Sequence, residues 1–240
     1  MQDPIEQLQQ IIDDSTNIVF FGGAGVSTES GLPDFRSSSG LFSRQYQWPA
    51  EVMLSHSFFV SHPSEFFQFY KASLFYPDLK PNPAHSKLAE LEQSGRLKAV
   101  ITQNIDGLHQ MAGSQKVLEL HGSIHRNYCL KCGKTYSSDF IAAAEDVPRC
   151  SCGGIVRPDV VLYEEGLDDA VMRESTRLIS KADTLIVGGT SLAVYPAAGL
   201  LDYFSGRHLV LINHDATALD DAAELVIRSP IGQTMATIRA

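Results

Sequence analysis

Residues 17–36, NIVFFGGAGVSTESGLPDFR, constrain the fold more than any other part of the 240-residue sequence. Ile18, Val19, Phe20 and Phe21 form a continuous apolar run, the pattern of a strand buried on both faces. Gly22, Gly23, Ala24 and Gly25 follow at once, and Val26, Ser27, Thr28 and Glu29 read as a helix start. Strand, glycine turn and helix N-terminus together place backbone N–H groups against a diphosphate, and small residues keep any Cβ from holding the phosphates away. The dinucleotide fingerprint is incomplete, because Thr28 stands where a third glycine belongs. Taken alone, the turn fits an ordinary tight turn in an α/β domain equally well. Beyond it, Pro33 disfavours helical geometry at Leu32 and lacks an N–H donor. Asp34, Phe35 and Arg36 are therefore held on irregular backbone beside the turn, or on a surface loop with the phenylalanine tucked inward.

The rest of the chain repeats this theme. Residues 97–102, 184–187 and 208–212 are further apolar runs, and each leads directly into polar or glycine residues. These are Gln103-Asn104-Ile105-Asp106-Gly107, Gly188-Gly189-Thr190-Ser191 and Asn213. Helical patterns lie between the runs. Ile5, Leu8, Ile11 and Ile12 have helical spacing, 84–94 turns Leu88 and Leu91 inward before the stop at Gly95, and 168–181, 196–204 and a segment from Pro230 follow. Residues 155–163 read as a strand returning to the sheet, and 223–227 as the last strand. This alternation predicts an α/β fold with a doubly wound parallel sheet of Rossmann type, whose ligands gather beyond the carboxyl ends of its strands.

The polar strand ends are ambiguous one by one. A dehydrogenase would carry an acidic ribose-binding residue about 20 residues after the glycine turn. Here the next strand comes far later and offers amides and Asp106, which counts against that class. Asn104 and Asp106 also fit simple turn formers. His121, after the apolar residues 117–120, fits a structural residue or an acid–base catalyst. Residues 37–49 read as a long loop. Residues 56–76 carry Phe58, Phe59, Phe66, Phe67, Phe69, Tyr70, Phe75 and Tyr76, as expected of packed helices that could also wall an apolar channel.

Four cysteines carry the plainest chemical signal. Two residues separate Cys129 from Cys132, one separates Cys150 from Cys152, and seventeen lie between the pairs. Two close pairs on tight turns supply four thiolates for one tetrahedral zinc, although the second pair is a residue shorter than usual. Disulfides are the alternative, but the N-terminus reads as no secretory signal. All four ligands come from protein, so such a zinc is structural. A 44% hydrophobic composition supports one large core or a core plus insert, and a formal charge of −9 disfavours a nucleic-acid surface. No apolar run approaches membrane-spanning length, so a cytoplasmic location is expected, without membrane or nucleic-acid partners.

GAGVSTESGLPDFR, TQNIDGLH, LHGS, the four-cysteine module, RPDVV and GTSLAVYP occur in the order found in sirtuins and span nearly the whole sequence. The resemblance implies an NAD-dependent protein-lysine deacylase acting on acyl-lysine proteins or peptides, expected to be a monomer. It implies an NAD-binding domain from 1–36, 84–122 and 155–240, a helical module with cofactor loop at 37–83, and a zinc-ribbon module at 123–154. By this similarity Gly22, Ala24, Gly25 and Ser27 belong to the diphosphate end. Phe35 would cover the nicotinamide side, with Arg36 near the phosphates. Gln103, Asn104, Ile105 and Asp106 would hold the nicotinamide and its ribose, with Asn104 also catalytic. His121 would be the general base. Gly189, Thr190, Ser191 and Asn213 would line the adenosine half. The backbone of Val160, Val161, Leu162 and Tyr163, facing Val194 and Tyr195, would clamp the peptide as an added strand. Cys129, Cys132, Cys150 and Cys152 would bind zinc.

The implied reaction breaks the nicotinamide–ribose bond, and the acyl oxygen attacks the sugar carbon. His121 then takes a proton from a ribose hydroxyl, giving free lysine, nicotinamide and O-acyl-ADP-ribose. The sequence departs from the family in two places. Tyr163-Glu164-Glu165 stands where Phe-Gly-Glu is common. Ser73 stands three residues after Tyr70, where relatives that prefer acidic acyl chains carry arginine. Without that guanidinium, neutral acyl groups are expected, acetyl first, with Lys71 as a partial substitute. An oxidoreductase, an ADP-ribosyl transferase and a non-catalytic zinc-ribbon module remain the alternatives. The first would reduce NAD without releasing nicotinamide, and the third would leave the polar strand ends without a common purpose.

Overall fold

Two glycine turns meet at the centre of a six-stranded parallel sheet. The computed structural model describes residues 3–35, 40–43, 45–76 and 78–240. The strands are β1 (Ile18–Gly22), β2 (Leu97–Thr102), β3 (Val117–Glu119), β4 (Gly122–Cys129), β5 (Thr135–Tyr136), β6 (Val156–Val160), β7 (Thr184–Gly188), β8 (His208–Ile212) and β9 (Leu225–Ile227). The helices are α1 (Pro4–Asp14), α2 (Ala50–Met53), α3 (His56–Ser61), α4 (Pro63–Ser73), α5 (Pro83–Gln93), α6 (Leu108–Met111), α7 (Ser138–Ala143), α8 (Asp169–Lys181) and α9 (Ile231–Ala236). The large sheet has the order β3-β2-β1-β7-β8-β9, every pair parallel. Counted within that sheet this is 3-2-1-4-5-6, so the strand order reverses between β1 and β7, where a doubly wound sheet opens its ligand crevice.

The apolar runs explain the layers. In β1, Ile18 and Phe20 face one core with Leu8, Ile12, Val100, Ile186 and Met235. Val19 and Phe21 face the other, with Ala99, Ile101, Leu178, Ile179 and Leu185. Each large side chain sealed in this way contributes about 1.5–3 kcal/mol. Side chains close the N-termini of α8 and α5. Asp168 Oδ1 accepts from the N–H groups of Ala170 and Val171 at the start of α8. Asn82 Oδ1 accepts from Ala84 N–H, while Asn82 N–H donates to His85 Nδ1, a reciprocal cap on α5. Gly95 ends that helix at φ 79°.

Three expectations are corrected. No α-helix follows the first glycine turn; two 3₁₀ turns, Ala24–Val26 and Thr28–Ser30, end at Gly31 with φ 93°. A left-handed glycine followed by Pro33 leaves no room to propagate an α-helix. Residues 196–204 form a 3₁₀ segment, Ala197–Tyr203, rather than an α-helix. The strand expected to rejoin the main sheet, β6, instead pairs antiparallel with β4 in a separate three-stranded sheet, β5-β4-β6. Gly122 permits that pairing, since a Cβ there would lie 1.9 Å from the Asp159 carbonyl oxygen. The small sheet and helices α2–α4 share one core, in which Phe58, Phe67 and Tyr70 meet Ile124, Val156 and Val160.

At the reversal point Gly25 N–H donates to Gly189 O at 2.8 Å, and Gly23 N–H to Gly188 O at 3.2 Å. Gly189 has φ 59°, and a Cβ on it would lie 2.3 Å from Val26 N and 2.5 Å from Gly25 C. Gly189→Ala therefore combines left-handed strain with a backbone clash and is expected to lower stability by roughly 2–5 kcal/mol. Gly95→Ala has the same hand of backbone with nothing within 4 Å, and should lose only about 1 kcal/mol. Urea denaturation of the two variants checks the difference; equal losses would contradict it.

Candidate active site

The carboxyl ends of β1, β2, β7 and β8 open onto one cavity of about 640 Å³. Its floor is polar because the strands end in polar residues. Gln103 Nε2 donates to Thr190 Oγ1 at 3.0 Å, Thr190 N–H donates to Asn213 Oδ1 at 3.1 Å, and Asn213 Nδ2 returns a bond to Thr190 O at 3.1 Å. Three strand ends are thus tied by side chains at one level. Ala24, Gly25, Phe35, Gln103, Asn104, Ile105, Asp106, His121, Gly189, Thr190, Ser191 and Asn213 all line the cavity. So do Val160, Val161, Leu162, Tyr163, Val194 and Tyr195.

Gly22 and Ser27 do not line it. Gly22 ends β1, where its carbonyl accepts from Gln103 N–H. Ser27 is fully buried behind the turn. Its hydroxyl donates to Asp106 Oδ2 at 2.7 Å and accepts from Asn104 Nδ2 at 3.0 Å. Asp106 Oδ1 accepts from Leu108 N–H, and the Asp106 carbonyl from His125 Nε2. Ser27 therefore orients the amide and carboxylate that face the cavity, rather than facing it itself. Arg36 lies outside the described residues.

Sequence patterns did not expose the histidines behind this network. His85 and His109 are both fully enclosed, their rings 4.7 Å apart. Burial lowers His85 to about 4 against the opposing pull of Asp106, and burial with His85 beside it lowers His109 to about 3. Both are neutral at physiological pH. The helix-start signal at Asn82 was the available clue to His85. The cavity also uses Ser229 and Pro230 after β9, another strand end that the sequence reading passed over.

His121 sits between the two halves of the cavity, after β3 and before β4. Its Nδ1–H donates to Gln103 O at 2.9 Å, which leaves Nε2 without a proton in the neutral ring. Burial lowers its pKa below 6.5, with the Gln103 carbonyl pulling the other way. Its own carbonyl accepts from Val161 N–H at 3.0 Å, which ties His121 to the segment that follows β6 and lines the cavity. That segment is anchored by Glu165. Burial opposes ionisation there, but Arg157, Leu162 N–H and His56 together bring Glu165 down to about 2. Arg157 is buried and binds both carboxylate oxygens, at 2.6 and 3.0 Å. An apolar side of the cavity is built by Phe35, Phe42, Leu54, Leu74, Ile105 and Leu162.

The four cysteine sulfurs lie within 4.8 Å of one another, at the turns joining β4 to β5 and leading to β6. Cys129 and Cys152 Sγ are 3.5 Å apart, and Cys132 and Cys150 Sγ 3.6 Å. A tetrahedron with zinc–sulfur bonds of about 2.3 Å has edges of about 3.8 Å. Lys131 N–H points to Cys129 Sγ and Cys152 N–H to Cys150 Sγ, donors that suit thiolates. The donor set fits one structural zinc, remote from the cavity lining.

Residues 23–196 match the sequence profile of the Sir2 family. The chain is 58% identical over 240 residues to an NAD-dependent protein deacetylase of Clostridium acetobutylicum, covering 98% of each. It is 60% identical over 242 residues to one of Clostridium perfringens, covering 99% of each. The chain belongs to the Sir2 family. Among solved structures, Sir2 with a p53 peptide and NAD+ superposes with a TM-score of 0.86 at 41% identity, covering 98% of this chain and 96% of that one. Sir2Tm bound to a propionylated peptide gives 0.85 at 40% identity, covering 96% and 95%.

In this Sir2-family chain a zinc on the four thiolates would tie the end of β4 to the turns that lead into β5 and β6. Atomic emission is expected to find one zinc per chain, and Cys150→Ala to abolish it with loss of thermal stability. A metal-free wild type with fewer than four titratable thiols would point to disulfides instead.

Proposed function

We propose that the cavity moves an acyl group from a lysine side chain to the ADP-ribose half of NAD, with nicotinamide released and one water consumed in freeing the lysine amine. The protein is an NAD-dependent protein deacetylase. The observation that carries the mechanism is the imidazole of His121, neutral and with Nε2 unprotonated, in the same cavity as both glycine turns. NAD supplies a glycosidic bond whose weakening exposes an electrophilic sugar carbon. Ala24 and Gly25 bring small-residue backbone to the diphosphate, and Gly189, Thr190, Ser191 and Asn213 receive the adenosine half. Asn104 and Asp106, held by Ser27, bind the ribose and the nicotinamide amide. Phe35 and Ile105 keep water from the reacting carbon. His121 Nε2 accepts a ribose hydroxyl proton, and the bond from Nδ1–H to the Gln103 carbonyl steadies the imidazolium that results. The acyl-lysine peptide lies between residues 160–163 and 194–195 as an added strand.

The acyl group is a neutral one. Among the described residues lining the cavity there is no lysine or arginine. Lys71 is turned to donate to Ala144 O, and Tyr70 and Ser73 are buried away from the lining. The negative charge argues against nucleic acid, and among the described residues no helix is long and apolar enough to cross a membrane. Four thiols gathered for a metal suit a reducing compartment such as the cytoplasm.

Nicotinamide release should require both NAD and an acetyl-lysine peptide and match deacetylated peptide one to one. His121→Ala should reduce it by about 10²–10⁴-fold. Because burial lowers the His121 pKa, the wild-type rate should hold as pH falls through 6.5 and drop only at lower pH, as Nε2 takes a proton. Faster removal of succinyl than acetyl would contradict the neutral-acyl assignment, and release without deacetylation would contradict the reaction.

A further inference from the structure

Glu164 has φ 76°, a left-handed backbone that residues with a Cβ rarely adopt. It directly follows Tyr163, which ends the segment assigned to the peptide and bridges Ser55. Such a conformation persists where surrounding contacts over-determine it, and here they do. Ser57 N–H donates to Glu164 Oε2 at 2.9 Å, and Ser57 Oγ donates to Glu164 Oε1 at 3.0 Å. The backbone adds two bonds, His56 N–H to Tyr163 O and Tyr163 N–H to Leu54 O, both 3.0 Å. The end of the clamp segment is thus fastened to the first turn of α3. The next residue, Glu165, reaches both sides: Arg157 of β6 binds both of its oxygens, and His56 Nδ1 of α3 lies 2.8 Å from its Oε1. Both carboxylates therefore meet α3, and Glu165 alone also grips β6.

We infer that Glu164 is a positioning residue for the acyl-lysine peptide. Its two-oxygen hold on Ser57 sets the distance between the clamp segment and the helical module. A glycine would relax the backbone but release the latch, so the strained residue is kept for its carboxylate. The inference rests on the reading of residues 160–163 as the peptide clamp.

The test is fluorescence anisotropy with a labelled acetyl-lysine peptide, alongside calorimetric NAD titration, for wild type, Glu164→Gly, Glu164→Gln and Ser57→Ala. Glu164→Gly should weaken peptide binding about tenfold, the scale of one lost charged hydrogen bond. Its NAD affinity should be unchanged and its melting temperature no lower than wild type. Glu164→Gln, which keeps an acceptor for Ser57 N–H, should recover most of the affinity. Ser57→Ala should add less in the Glu164→Gly background than alone. Peptide affinity within twofold of wild type in Glu164→Gly, or an equal loss of NAD affinity, would overturn the inference. A wild type that binds NAD but no acetyl-lysine peptide would overturn the clamp reading beneath it.

Discussion

The cleft depends on a contact between two backbones, the 2.8 Å bond from Gly25 N–H to Gly189 O. It lies where β1 and β7 run side by side and the strand order reverses. No side chain fits between these turns, and the clearance is below 3 Å on both sides. Because the turns touch, the residues beyond them converge. Ala24 and Phe35 come from one side, Thr190 and Ser191 from the other, and Gln103 spans between β2 and β7 through Thr190. A glycine-rich cradle is usual for a dinucleotide. Here the following helix is replaced by two 3₁₀ turns, which drop Ser27 into the interior.

That burial gives the catalytic side its order. A serine hydroxyl with one donor and two lone pairs can link an amide and a carboxylate in only a few ways. Ser27 donates to Asp106 and accepts from Asn104, so both groups are fixed before any ligand arrives. His121 is fixed in the same manner by the Gln103 carbonyl, which selects the tautomer with Nε2 unprotonated. The carbonyl of His121 binds Val161 N–H, so the histidine is tied to the segment that follows β6. The small sheet lies behind them, joined to the helical module through the core around Phe58, Phe67 and Val156.

Much of this was legible in the sequence. β1, β2, β7 and β8 follow from apolar runs that stop at glycine or amide residues, and the zinc site from the spacing of four cysteines. Membership of the second sheet was not legible, because 155–163 has the apolar content of either sheet. What decides is the pairing with β4, where Gly122, 37 residues before Asp159 in sequence, leaves room for the Asp159 carbonyl. His85 and His109 also escaped, since a histidine on a helix carries no periodic signature and their burial arises from α5 packing behind the glycine turn. The latch at Glu164 was visible only as a departure from a familiar Phe-Gly-Glu; its left-handed backbone and its bond to Ser57 exist only in three dimensions.

The most direct test of the central claim is a crystal structure of the protein with NAD and an acetyl-lysine peptide. The account predicts the diphosphate against the backbone of Ala24 and Gly25, the nicotinamide ribose within hydrogen-bond reach of His121 Nε2, and the peptide paired between residues 160–163 and 194–195. NAD bound with its nicotinamide ribose away from His121, or a peptide seated outside that cleft, would contradict it.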